Sequence, residues 1–334
     1  MKNRRVVLAA YLDGAPKESD FRVEEVDAPE PSDGQVLVRN SFISIDPGMR
    51  GRLSGKASYT APVPLGGVLG SASVGQVVAS RNPKFAVGDW VAAAFGWQDY
   101  GLGDGAGMRK IDSNRVPPSA QIGVLGIPGL TAYFGLLDIG QPKAGETVLV
   151  STAAGAVGSA AGQIAQIKGA RAVGIAGGPE KCRWLTEELG FAAAIDRHAE
   201  PDIAAAVRRA CPDGVDVLFD NVGNTLVDPV LPLMNLHGRI VASGQTADYN
   251  VPPEERYGLK NTSFFITSRL KMQGLVVFDA VRGFPQAWAE MTDWIVEGRL
   301  KYREDIEVGI ERAPAAFVGL FKGDNFGRKL IKLD

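Results

Sequence analysis

The stretch Thr147-Val148-Leu149-Val150-Ser151-Thr152-Ala153-Ala154-Gly155-Ala156-Val157-Gly158 reads as an apolar strand that runs into a glycine turn. A helix of small residues follows, as far as Gly169. Aligned on G-x-G-x-x-G, Ala153 takes the first glycine position, and Gly155 and Gly158 take the other two. A small residue at 155 lets a pyrophosphate approach the backbone, while Gly158 and Gly162 allow close packing of helix on sheet. The first helical residues, Ala156 and Val157, then offer N–H groups and the positive end of the helix dipole to phosphate. A glycine pattern alone is a weak signal. Here it lies between a strand and a helix, inside a βαβ unit of suitable length, and a dinucleotide site is favoured over a merely tight turn.

The end of the next strand selects the cofactor. NAD sites usually place an Asp or Glu about 20 residues beyond the glycine turn, where it binds the ribose 2′-hydroxyl. This chain has Ala176-Gly177-Gly178-Pro179-Glu180-Lys181 instead. The glycines leave room, no carboxylate stands at the strand end, and Lys181 can neutralise a 2′-phosphate. Arg197, just after the third strand of this region, can reach the same adenosine end. The competing reading makes Lys181 and Arg197 ordinary solvated charges, and Glu180 must point away if a phosphate binds. The expected cofactor is NADPH.

Outward from this centre, runs at 171–176, 215–219, 238–243 and 272–278 read as further strands. Helical stretches lie at 179–189 and 285–297, and between most of the strands. Such alternation predicts a doubly wound parallel sheet of the Rossmann type. The first ~120 residues read differently, as short strands punctuated by glycine and proline, which suits a compact, partly open barrel. The start, MKNRRVVLAAYLDG, reads as a first strand, because its apolar run stops at Asp13 and no cleavage site follows. A length of 334 residues suits two domains. The 41 glycines follow no short period, which points to turns and not to a fibre. A net charge of −2 gives no electrostatic reason to expect nucleic acid or an anionic membrane as partner. No apolar run approaches the ~20 residues of a membrane span. Two cysteines, Cys182 and Cys211, are too few for a disulfide framework, so a cytoplasmic location is expected.

With these motifs in place, the chain resembles the zinc-independent medium-chain dehydrogenases/reductases. Within them it is similar to the alkenal double-bond reductases, which include prostaglandin/leukotriene reductases and bacterial curcumin reductases. The resemblance is carried by Ser44-Ile45-Asp46-Pro47-Gly48-Met49-Arg50, by Gly126-Ile127-Pro128-Gly129-Leu130-Thr131-Ala132-Tyr133 and by the glycine turn. It continues through Phe219-Asp220-Asn221-Val222-Gly223, Ser243-Gly244-Gln245 with Tyr249-Asn250, and Lys322-Gly323-Asp324-Asn325-Phe326-Gly327. Gly96-Trp97-Gln98-Asp99-Tyr100 draws it toward the bacterial branch. It implies a GroES-like substrate-side barrel (1–122), a Rossmann-type NADPH-binding domain (123–304) and a return to the barrel (305–334). It further implies hydride transfer to the β-carbon of an α,β-unsaturated ketone or aldehyde, a small hydrophobic enone or enal, and suggests a homodimer with an edge near 272–278. The family pattern places the adenosine phosphate at Gly178 and Lys181, the nicotinamide end near Asn221, Phe278 and Asn325, and Tyr249 by the nicotinamide ribose. One departure stands at Gly48, where relatives commonly carry a tyrosine lining the substrate pocket. Another is Arg197, where eukaryotic relatives often carry a tyrosine.

No metal site is expected. The two histidines, His198 and His237, read as loop residues and form no His-Glu or Cys-x-x-Cys group with the two cysteines. Without a metal, a hydrogen-bond donor must stabilise the enolate oxygen that develops during hydride transfer. Tyr249 is the leading candidate, directly or by orienting the ribose 2′-hydroxyl, and Tyr59 is the second. Either could instead be a packing residue. Trp97, Tyr100, Phe264 and Phe265 are candidates for an apolar pocket. Two other functions stay open: a quinone oxidoreductase with the same cofactor, and a non-catalytic NADPH-binding protein.

Overall fold

Val148, Leu149 and Val150 are all buried, as are the successive residues Val217, Leu218 and Phe219. Consecutive apolar residues hidden on both faces mark the middle of a parallel sheet covered by helices on either side. The computed structural model describes residues 1–56 and 60–333. The chain divides into two compact units, Met1–Gly126 with Glu304–Asp334, and Ile127–Arg303.

The first unit begins with β1 (Lys2–Leu8) and β2 (Phe21–Asp27), which pair antiparallel. There follow β3 (Val36–Ser44), β4 (Ser73–Ser80), β5 (Trp90–Ala93), β6 (Tyr100–Gly103) and β7 (Arg109–Lys110). The second unit carries α1 (Ile127–Phe134), β8 (Thr147–Val150), α2 (Ala156–Ile167), β9 (Arg171–Ala176), α3 (Pro179–Arg183), β10 (Ala193–Asp196) and α4 (Ile203–Ala210). It continues through β11 (Val215–Asp220), α5 (Asn224–Val230), β12 (Met234–Ala242), α6 (Ser263–Thr267), β13 (Lys271–Gly274) and α7 (Phe284–Val296). The chain then re-enters the first unit with β14 (Glu304–Val308), α8 (Ala313–Leu320) and β15 (Arg328–Lys332).

In the second unit the six strands lie in the order β10-β9-β8-β11-β12-β13, and every neighbouring pair is parallel. The chain runs outward from β8 to one edge and returns to pass from β11 to the other. The strand order therefore reverses between β8 and β11, where open α/β sheets bind ligands at the carboxyl ends of the strands. The sheet is held by a core that includes Leu149, Val173, Leu218 and Ile240, packed with Val207 from α4 and Val227 from α5. Burying each such side chain contributes about 1.5–3 kcal/mol.

Two expected elements end differently. The stretch 272–278, read as one strand, stops at Gly274 and winds into a 3-10 turn over Val277–Gly283. Its partner β12 ends at Ala242, whose carbonyl takes a last hydrogen bond from Leu275 N at 3.2 Å, so nothing remains for residues beyond to pair with. The helix read over 179–189 exists, but it widens to π-type winding over Trp184–Glu188.

In the first unit β14, β15, β3, β4, β5 and β7 follow one another across a sheet, with β6 paired to β3. Only β14 and β15 run parallel; the return segment thus becomes part of the same sheet as β3. Trp97 is fully buried there, with ring centroids 6.0 Å from Phe21 and 5.9 Å from Phe317, and its indole N–H donates to Ser44 O at 3.0 Å. Trp97 is a core residue, which removes it from the candidate pocket aromatics.

Candidate functional site

The turn after β8 is shaped by contacts too close for side chains. Thr152 has φ of 50°, a left-handed conformation that a β-branched residue rarely adopts, and its carbonyl accepts from Gly155 N at 2.9 Å. A Cβ on Gly158 would stand 2.5 Å from Thr152 O and 2.8 Å from Ala153 Cα, both backbone atoms. A Cβ on Gly162 would meet the buried Phe191 ring at 1.9 Å, so α2 lies on its neighbours at glycine distance. Ala153 is fully buried, and its methyl fits because Gly174 opposite has none; a Cβ there would come within 2.8 Å. Gly155 stands at the N-cap without a side chain to satisfy the first N–H groups of α2, which begin at Ala156, Val157 and Gly158. These residues fit a dinucleotide: an uncapped helix start sits behind a turn that admits close approach.

At the end of β9, Gly178 takes φ of +91° and donates its N–H to Asp196 Oδ1 at 2.7 Å. His198 N donates to the same oxygen at 3.0 Å. The Gly178 N–H, above all, holds the Asp196 carboxyl below the usual carboxylate range against desolvation, with His198 N adding to it. An acid therefore does stand at this end of the sheet, on β10 and not on β9. One of its oxygens is occupied by backbone donors. Arg197 and His198 lie against the same turn: a Cβ on Gly177 would lie 2.8 Å from His198 Cε1 and 3.3 Å from Arg197 Nε. Lys181 follows in α3, half-buried, while Glu180 is exposed. The structure thus brings Arg197 against the Gly177-Gly178 turn, with Lys181 in the helix that follows, and adds Asp196 and His198. Neither addition has a motif that would have revealed it.

The third group lies at the ends of β8 and β11. Asn221 is buried, its N–H donates to Ser151 Oγ at 2.7 Å, and its Nδ2 donates to Ser151 O at 2.9 Å. Asp220 beside it is 1% exposed; burial pushes its carboxyl up to about 6, against the opposing pull of donors from Val222, Gly223 and Ser151. Thr246 and Ala247 donate to the carbonyls of Asn221 and Val222, which ties the segment carrying Tyr249 to this turn. Tyr249 itself is half-buried and closes the 3-10 turn Thr246–Asp248. Phe278 is 55% exposed, on the turn beyond the edge strand β13. Asn325 belongs to the other unit, where its Nδ2 donates to Gly327 O at 3.1 Å.

Tyr59 lies outside the described residues. Phe264 and Phe265 pack against the core of the second unit, and Tyr100 is half-buried on β6. Gly48 is exposed, with nothing within 4 Å of where a Cβ would stand. Among the described residues no group of three or more His, Cys, Asp or Glu side chains is arranged to hold a metal ion.

Two family models match, "N-terminal domain of oxidoreductase" over residues 4–111 and "Zinc-binding dehydrogenase" over residues 156–297. The chain is 45% identical to the NADPH-dependent curcumin reductase of Escherichia coli, an alignment covering 99% of this chain and 97% of that one. It is 39% identical to the NADP(+)-dependent 2-alkenal reductase of Nicotiana tabacum, with 99% and 97% covered. The crystal structure of CurA in complex with NADPH from Vibrio vulnificus superposes with a TM-score of 0.93 at 42% identity, covering 99% of each chain. The NADPH expectation read from the acid-free end of β9 agrees with these relatives.

The adenosine-end geometry predicts that Lys181→Ala raises KM for NADPH by about 10- to 100-fold, the loss of a charge-assisted contact, and leaves KM for NADH nearly unchanged. Equal effects on the two cofactors in steady-state kinetics would remove Lys181 from 2′-phosphate recognition.

Proposed function

We propose that this chain, which belongs to the zinc-independent medium-chain dehydrogenase/reductase family and within it to the alkenal and curcumin reductase group, reduces the carbon–carbon double bond of α,β-unsaturated ketones and aldehydes with NADPH. The observation that carries the reading is full-length similarity to an NADPH-dependent curcumin reductase and a 2-alkenal reductase, joined to a glycine turn fit for a dinucleotide. The bound cofactor supplies a hydride for the substrate's β-carbon.

The chain's own residues then have three tasks. Ala156, Val157 and Gly158 offer the first N–H groups of α2 to the pyrophosphate, while Gly155, without a side chain, and Ala153, buried in the turn, let it approach. Gly178, Lys181 and Arg197 receive the 2′-phosphate, and Asn221 and Phe278 serve the nicotinamide end. Tyr249 stabilises the oxygen on which negative charge develops, directly or through the ribose 2′-hydroxyl, and Tyr59 is a second donor for it. Solvent can protonate the α-carbon, so no dedicated acid is needed. Gly48 leaves open the space that a tyrosine fills in relatives, which suits a substrate bulkier at that point.

Among the described residues no helix is long and apolar enough to cross a membrane. Both cysteines are free, which suits the reducing cytoplasm where we place the enzyme. A homodimer is also part of the proposal. The edge strand β13 is exposed along its length, and Val276, Phe278 and Val281 beside it are 38%, 55% and 57% exposed, an apolar edge that a second copy would cover. Sedimentation equilibrium should return twice the chain mass; a monomer at micromolar concentration would contradict this.

Turnover measured over a panel of enones, enals and quinones tests the reaction. Enones and enals should support NADPH consumption, and Tyr249→Phe should lower kcat by about 10- to 100-fold, the scale of one lost transition-state hydrogen bond. Turnover with quinones alone would favour the quinone oxidoreductase reading.

A further inference from the structure

Asp220 is the most deeply buried carboxylate near the candidate site, and none of the tasks above uses it. Its Oδ1 accepts from Ser151 Oγ at 2.9 Å and from Val222 N at 3.0 Å, and its Oδ2 accepts from Gly223 N at 2.7 Å. Gly223 has φ of +109°, open to glycine, and the carboxylate pins the backbone on its way into that conformation. Ser151 meanwhile accepts from Asn221 N, so the residue that precedes the glycine turn and the residues that follow β11 are locked to one another.

The carbonyls of this locked turn then hold a second segment. Asp220 O accepts from Ser243 N at 2.8 Å and Gly244 N at 3.2 Å. Asn221 O accepts from Thr246 N at 3.2 Å and from Thr246 Oγ1 at 2.9 Å, and Val222 O accepts from Ala247 N at 3.0 Å. Tyr249 begins two residues later. The far side of its loop is fastened separately, by Asp228, which accepts from Lys260 N at 2.7 Å, Asn261 N at 2.8 Å and the Tyr257 hydroxyl at 3.0 Å.

We infer that Asp220 is a positioning residue for the reaction: its side chain fixes the 221–223 turn, whose carbonyls in turn set the place of Tyr249. The role in catalysis rests on the proposed function of Tyr249, whereas the positioning itself does not. A carboxylate suits this task because its two oxygens accept several donors at once and hold them more strongly than a neutral acceptor does. An amide in its place would present an NH2 group to one of the backbone N–H groups.

Amide hydrogen exchange on the whole chain reads the positioning directly. In Asp220→Asn, exchange at Thr246 and Ala247 should quicken by about tenfold or more, while Lys260 and Asn261 keep their rates. Ser151→Ala, which removes one donor and keeps the carboxylate, should produce the same local pattern more weakly and serves if the first variant does not fold. Unchanged exchange at Thr246 and Ala247, or equal loosening at both ends of the loop, would overturn the inference. The catalytic half is read from a double-mutant cycle. Asp220→Asn should lower kcat in the wild-type background and add little to Tyr249→Phe, and additive losses would show that Asp220 does not act through Tyr249. If Tyr249→Phe alone leaves kcat intact, the proposed role of Tyr249 fails, and the exchange data still judge the positioning.

Discussion

The second unit depends on one close approach, between the backbone at Thr152 and Ala153 and the helix at Gly158. A methyl group at position 158 would stand 2.5 Å from a carbonyl oxygen that cannot move without breaking the turn. Because that space stays empty, α2 can start just beyond the end of β8, at the reversal point of the sheet. The same approach explains Ala153, whose methyl is accommodated by the bare Gly174 on the next strand. It also accompanies the left-handed Thr152, a local strain located where a ligand would be held.

Two carboxylates do related work on either side of this turn. Asp196 receives the N–H groups of Gly178 and His198, and Asp220 receives those of Val222 and Gly223. Each fixes a glycine in a positive-φ conformation at the carboxyl end of the sheet, one beyond β9 and one beside Asn221. Backbone geometry is thereby set by short-range acceptors before a ligand arrives, which lowers the ordering cost of binding. Asp196 also places a negative charge near the proposed 2′-phosphate site, and the Arg197 guanidinium lies against that turn to offset it.

The parts legible in the sequence were those written in local pattern. Strand, glycine turn and small-residue helix could be read from residues 147–169 because each position answers to a neighbour a few residues away. The acid-free Ala176-Gly177-Gly178 was legible for the same reason. Asp196 was not, because it acts from another strand, 18 residues after the N–H it receives. Asp220 is legible only as one letter of a motif, since its partners are Ser151, just after β8, and its own turn, and nothing in composition announces burial. The end of β13 depends on where β12 stops pairing. Trp97 reads in sequence as a candidate pocket aromatic, but Phe21 and Phe317, from distant parts of the chain, pack against it.

The proposed reaction delivers hydride to the β-carbon of a conjugated double bond, and an isotope label can follow it. An enone is reduced with NADPH carrying deuterium at the transferable position, and the product is read by NMR. Deuterium should appear at the β-carbon, with a solvent-derived hydrogen at the α-carbon and an intact carbonyl. Deuterium on a carbinol carbon, with the double bond retained, would contradict it.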